Sequence, residues 1–149
     1  MSLFLQINED IKAAQKSKDA LVLSTLRMVS AAFKNEIIAL KKRDENTLND
    51  QECIGLLAKE AKKRKDSIKA YTQGNRPELA EKETQELAII EKYLPKQLNE
   101  QEIADIIKKI IADNPDIDFG PLMGKIMGQL KGKADGQLVQ KILKENIKR

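Results

Sequence analysis

One stripe constrains the fold of this chain more than any other feature. Val22, Leu26, Val29, Phe33, Ile37 and Leu40 recur at three- and four-residue steps, the spacing of one face of a helix. Nothing in the chain reads as a strand: there is no alternation of Val, Thr and Tyr and no Asn-Gly hairpin turn. Charged residues make up 34% and apolar residues 41%, but aromatic residues only 3%. The core is therefore built from Leu, Ile, Ala, Val and Met, and the long runs of Ala, Glu, Lys, Leu, Ile and Gln favour helix. The 149 residues fit one domain or two small ones, and the expected class is all-α.

Six further segments repeat the pattern. Ser2 is placed to cap a first helix to about residue 17, with Leu3, Ile7, Ile11 and Ala14 inward. Asp19 caps the second, which is expected to run to about Arg43, so that Lys41, Lys42 and Arg43 sit in the last turn and suit the helix dipole. After a polar loop beginning at Asp44, Asn49 and Glu52 have capping-box spacing for a third helix, which ends at Gly74. A fourth helix starts at Asn75-Arg76-Pro77 and stops before Pro95. Its glutamates 78, 81, 83, 86 and 91 alternate with lysines and read as a solvated face. Pro95-Lys96-Gln97-Leu98 is the best domain boundary, giving an N-terminal domain of about four helices over 1–94 and a three-helix domain over 95–149. Asn99 and Glu102 repeat the capping-box spacing for the fifth helix, and Asp118 is a cap for the sixth. The seventh follows the turn Lys131-Gly132-Lys133-Ala134-Asp135-Gly136, buries Leu138, Val139, Ile142 and Leu143, and turns Lys141, Lys144 and Lys148 outward.

Several chemistries have no basis in these residues. Histidine is absent, which removes the commonest general base and metal ligand. There is no Cys/His metal spacing, no Walker loop and no Gly-x-Gly-x-x-Gly, so neither a metal nor a cofactor is expected. No carboxylate stands in an apolar context that would raise its pKa, and no catalytic site is visible. Cys53, the only cysteine, lies on an apolar face and reads as core; it forms no disulfide within the chain and suits a reducing compartment, the cytoplasm. The start of the chain lacks a charged signal-peptide region, and no apolar run approaches the roughly 20 residues that a membrane span needs. Arg64 falls on the apolar stripe of helix three with Cys53, Leu57, Ala61, Ile68 and Tyr71. It requires a structural ion pair, expected with a glutamate on a neighbouring helix. The lysines around it at 59, 62, 63, 65 and 69 are mixed with Glu60 and Asp66 and read as a solvated face.

Charge is gathered at the C-terminal end. From Phe119 onward there are seven basic and two acidic residues, +5 in all, whereas the rest of the chain sums to −1. Glycines at 128, 132 and 136 allow sharp turns, and Asp135 is placed to accept from the first N–H groups of helix seven. The corner between helices six and seven is thus read as a basic turn that meets a polyanion. The candidate contacts are Lys125, Lys131, Gly132, Lys133, Lys141 and Lys144, with N–H groups at the start of helix seven also available to a phosphate. With few aromatic side chains to stack on bases, recognition of shape and phosphate is the expected mode.

Tyr93-Leu94-Pro95-Lys96-Gln97-Leu98, Met123-Gly124-Lys125-Ile126-Met127-Gly128 and Lys131-Gly132-Lys133-Ala134-Asp135-Gly136 together resemble the YqeY family. In the N-terminal half, Leu26-Arg27-Met28 and the run from Glu60 to Ile68 (EAKKRKDSI) are similar to it as well. The resemblance implies two all-helical domains. It implies that the second shares its fold with the tail of the B subunit of the glutamine-dependent aspartyl/glutamyl-tRNA amidotransferase, a tail that contacts tRNA. Gly128-Gln129-Leu130 leads straight into Lys131, about one helical turn shorter than the stand-alone family pattern and matching the amidotransferase tail. The amidase and kinase sites of that enzyme have no counterpart here. The expectation is a non-catalytic protein that binds tRNA or another structured RNA. The alternatives are an accessory factor acting with amidotransferase subunits, whose chemistry is carbon–nitrogen ligation with glutamine as nitrogen donor, or a helical protein-interaction module.

Overall fold

In a computed structural model, which describes residues 1–42 and 45–147, the described residues form seven α-helices and no strand. They are α1 (Leu3–Ser17), α2 (Ala20–Ala39), α3 (Asp50–Gln73), α4 (Pro77–Glu91), α5 (Glu100–Asp113), α6 (Phe119–Leu130) and α7 (Gly136–Ile147). The chain divides into two compact units, Met1–Leu94 and Pro95–Arg149.

The helix starts follow local chemistry. Ser2 accepts from Leu5 N at 3.2 Å and Asp19 from Val22 N at 3.3 Å. Complete capping boxes open α3 (Asn49 with Glu52) and α5 (Asn99 with Glu102), so two otherwise orphaned N–H groups are satisfied at each start. Pro77 takes the first position of α4, where its missing N–H costs nothing. Asp118 occupies the N-cap of α6 but makes no side-chain capping bond; only its carbonyl is used, accepting from Leu122 N at 3.0 Å.

The ends of α1 at Ser17 and of α3 at Gln73, before Gly74, fall where expected; the end of α2 does not. α2 stops at Ala39, short of Arg43, which lies outside the described residues along with Asp44. Lys41 turns left-handed (φ 59°), Lys42 N donates to Ile37 O and Lys41 N to Ile38 O, and those bonds close the helix. The last turn of α2 therefore holds no cation, and Leu40 is exposed instead of completing the stripe. Lys42 is drawn to Glu52 instead, at 2.8 Å, which raises its pKa and lowers that of Glu52, in each case chiefly through that hydrogen bond. At the end of α3 the left-handed residue is Asn75 (φ 58°); Gly74 has an ordinary φ of −83°.

In the Met1–Leu94 unit, α3 and α4 form the closest pair, α2 lies against both, and α1 packs on α2 and α3. The core is Ile7, Leu26, Val29, Phe33, Ile37, Leu48, Cys53, Leu57, Ala61, Ile89 and Ile90, with Phe4 stacked on Phe33 at a centroid distance of 5.8 Å. Two polar ties fasten α1 to it: Leu3 N donates to Asp50 Oδ1 at 2.9 Å, and Tyr93 Oη donates to Asp10 Oδ2 at 2.6 Å. Burial, together with the Asp10 carboxylate, pushes the Tyr93 hydroxyl well above its ordinary pKa. In the Pro95–Arg149 unit α5 packs on α6 and α7, which also touch each other, around Ile103, Ile107, Ile110, Leu122, Ile126, Leu130, Val139, Ile142 and Leu143. A Cβ at Gly124 or Gly128 would meet nothing within 4 Å, so neither glycine is required by a close helix contact.

Candidate nucleic-acid interface

The corner between α6 and α7 is tightly made. Lys131 leaves the helix with ψ 125°, Gly132 takes a φ of 77° that a side chain would strain, and Lys133 N and Ala134 N both return to Leu130 O, at 2.9 and 3.2 Å. The segment before α5 then holds it from outside. The Gln97 amide donates to Gly132 O at 2.8 Å and to Pro95 O at 2.9 Å, and Leu98 N donates to Lys133 O at 2.9 Å. Both N–H bonds of the Gln97 side chain are used, one to each carbonyl. The Pro95-Lys96-Gln97-Leu98 and Lys131-Gly132-Lys133 motifs, 35 residues apart at the Gln97–Gly132 bond, are therefore one structural unit.

Sequence reasoning missed Gln97. The signal was present, since both stretches carry the family resemblance, but periodicity says nothing about a side chain reaching across the chain.

The candidate residues fall into three places. Lys131 and Lys133 are exposed on either side of Gly132, whose own backbone is buried; Gly132 shapes the turn and offers no surface. Lys141 and Lys144 are exposed, and three residues of helix separate them by about 60° on the face of α7 away from Val139, Ile142 and Leu143. Lys125 is not gathered with the corner: it lies six residues before Lys131, about 9 Å along the helix, and its Nζ is held by Asn114 Oδ1 at 2.9 Å beside the α5–α6 connection. Lys148 and Arg149, counted in the basic tail, lie outside the described residues.

At the start of α7 the Gln137 N–H is already taken by a side chain. Asp135 Oδ1 accepts from Gln137 N at 3.1 Å and Asp135 O from Val139 N at 3.0 Å. A carboxylate already occupies that helix end, and it would repel a phosphate. Positive charge at the corner thus resides in the side chains of Lys131 and Lys133.

Arg64 occupies a different setting, in the Met1–Leu94 unit, with its side chain 4% exposed. Its Nη1 lies 2.9 Å from Glu60 Oε2 on the same helix and 3.1 Å from Glu60 O; its Nε lies 3.8 Å from Glu86 Oε2 on α4. Glu86, expected on a solvated face, is buried against this guanidinium. Glu83 departs from expectation too: burial first, then the neighbouring charge of Glu86, push its carboxyl above the ordinary range. Among the described residues no helix is long and apolar enough to cross a membrane, and no group of three or more Cys, Asp or Glu side chains is placed to hold a metal ion.

A family model described as Yqey-like protein matches residues 5–147. The chain is similar to proteins named "Altered inheritance of mitochondria protein 41, mitochondrial". The one from Vanderwaltozyma polyspora is 38% identical over 73% of this chain and 58% of that protein. The one from Candida glabrata is 30% identical over 80% of this chain and 68% of its own length. The Pyrenophora tritici-repentis protein is 28% identical over 94% of this chain and 78% of its own. The match thus leaves a third or more of some relatives uncovered, while the family pattern runs through nearly all of this chain, helices α1 to α7. The chain belongs to the Yqey-like protein family.

Proposed function

We propose that this protein is a non-catalytic RNA-binding adaptor whose Pro95–Arg149 unit, read as a three-helix domain of the amidotransferase-tail kind, grips tRNA or another structured RNA through phosphate contacts. One observation carries the reading. The backbone at Gly132 and Lys133 is bonded to Gln97 and Leu98, while the side chains of Lys131 and Lys133 are exposed. Two cations on a fixed turn lose less freedom on meeting phosphates than cations on a mobile loop. Lys141 and Lys144 extend the positive surface along α7.

Filter binding of tRNA over a range of salt tests the proposal. With ~3–5 phosphate contacts the log–log slope is expected to be roughly −2 to −5, and a Lys131/Lys133→Glu double variant is expected to bind far more weakly. A flat salt response, or no tRNA bound at low salt, removes the reading. The resemblance to the amidotransferase tail supports a second role, as an accessory to that complex. Adding the chain to an amidotransferase assay with misacylated tRNA is then expected to change turnover or tRNA affinity. The compartment proposed is a reducing one, the cytoplasm, where a lone buried thiol stays free; the relatives carry the word mitochondrial in their names.

A further inference from the structure

Two stretches that carry the family resemblance in the N-terminal half, Leu26-Arg27-Met28 and the run from Glu60 to Ile68, take no part in the basic corner. In the fold they meet at an open surface groove of about 490 Å³ on the Met1–Leu94 unit, with Met28 half-exposed at its edge. Met28, Ala31 and Ala32 of α2 form an apolar wall; Arg64 of α3 with Glu83 and Glu86 of α4 form a charged one. The volume falls in the roughly 300–1,000 Å³ range of small-molecule sites. We propose that this groove binds a free α-amino acid, its carboxylate on the Arg64 guanidinium and its ammonium between Glu83 and Glu86, with its side chain on the apolar wall.

The guanidinium is only half used. Glu60 takes Nη1 twice, through its carbonyl and its carboxylate. Nη2 touches only Met28 Sδ, at 3.8 Å, and Nε has no hydrogen-bond partner among the described residues. The 3.8 Å to Glu86 Oε2 is beyond hydrogen-bond reach. The Nε–Nη2 edge of an arginine is the fork that receives a carboxylate through two parallel bonds, and a buried fork without an acceptor is costly to maintain.

The acidic wall has the opposite need. Lys63 and Arg64 face Glu60, Glu83 and Glu86, and Lys63, 74% exposed, pairs among the described residues with Glu60, at 3.9 Å. Burial first, then the Glu86 charge and a hydrogen bond shared with Glu86, disfavour the Glu83 carboxylate, and the cations Arg64 and Lys82 offset this only in part. A simple anion would meet this wall and be repelled; a simple amine would leave the arginine fork unpaired. A molecule with carboxylate and ammonium on one carbon answers both. Glu86 now covers Nε, so turning its carboxylate toward an incoming ammonium also opens the edge that receives the ligand carboxylate.

The full chain, labelled with ¹⁵N and titrated with each standard L-amino acid, tests this independently of RNA binding. The expected result is a saturable shift of the Met28, Arg64, Ser67 and Glu83 amides with at least one of them. N-acetylated and carboxamide forms of that amino acid, and an alkylamine of matching length, are expected to bind about tenfold or more weakly, since each lacks one charged partner. Glu83→Gln leaves the Arg64–Glu60 pair intact, so the variant folds, and it is expected to weaken binding by about the same factor. No shift with any amino acid overturns the proposal. So does equal binding by a capped form or by the amine, or full affinity in Glu83→Gln.

Discussion

Gln97 shows how much of a surface turn can hang on one side chain. Its amide is divided between Pro95 O and the carbonyl of buried Gly132. Gln97→Ala is expected to cost about 1–3 kcal/mol, the penalty for leaving a covered carbonyl unpaired. Urea unfolding of the full chain measures it, with faster hydrogen exchange at the Leu98 and Lys133 amides as the local sign. Because the lysines themselves are untouched, a fall in tRNA affinity in this variant would report turn rigidity alone. Cys53 is the opposite case, a residue whose role was legible from its position on the apolar stripe. It is fully buried, and burial, followed by the charges of Asp50 and Glu52, pushes the thiol up to about 11. Reaction with a disulfide reagent at pH 8 is therefore expected to be slow in buffer and rapid in denaturant. Prompt labelling of the native chain would show that this part of the core opens readily. Cys53 could be read because its neighbours at helical spacing are apolar; Gln97 could not, because its partner lies 35 residues away.

At the level of helices, starts were more legible than ends: α1 and α3 end where expected, but α2 stops about four residues early, and the reason is physical. A start is signalled by a side chain that accepts from the backbone two or three residues on, so Ser2, Asp19, Asn49 and Asn99 could be named from spacing alone. Three ends turn through a left-handed residue, Lys18, Lys41 and Asn75, where a search for glycine finds nothing or stops one residue early, and α4, α5 and α6 end without one. Asn49→Ala and Asn99→Ala are each expected to cost about 1 kcal/mol, by loss of one capping bond in each unit, as measured by thermal or urea unfolding. The α3 start has a further partner that α5 lacks, since Glu52 also receives Lys42. That hydrogen bond holds the folded-state pKa of Glu52 below its unfolded value. Its stabilisation is present above the unfolded pKa and is lost as pH falls through the folded one. Glu52→Gln should flatten the acid limb of the stability–pH curve and leave it unchanged near neutrality in shape. An unchanged acid limb would mean that the pair also persists in the unfolded chain.

For the whole molecule the governing quantity is where charge sits, because +4 spread evenly over 149 residues would bind a polyanion weakly and without preference. Along the sequence of the Pro95–Arg149 unit the charge is uneven. Residues 95–118 hold three lysines and six acidic groups, whereas from Phe119 onward basic groups prevail by seven to two. Periodicity gave the helices, and charge counting gave the basic end. The Asp135 cap of α7 was legible from its place before the helix, but neither showed that Lys125 is turned aside to Asn114, a contact made only in the fold. This unevenness supplies a control that net charge alone cannot imitate. Lys108 and Lys109 are exposed on α5, among the acidic residues. Lys108/Lys109→Glu changes the total charge by the same amount as Lys131/Lys133→Glu. If the corner is the contact, the corner variant should lower tRNA affinity by about tenfold or more and reduce the steepness of the salt slope by about 1.4–1.8, two phosphate contacts' worth, while the α5 variant keeps most of the slope. Equal losses in both would mean that the protein responds to RNA only through its overall charge. A larger loss in the α5 variant would place the contact on α5.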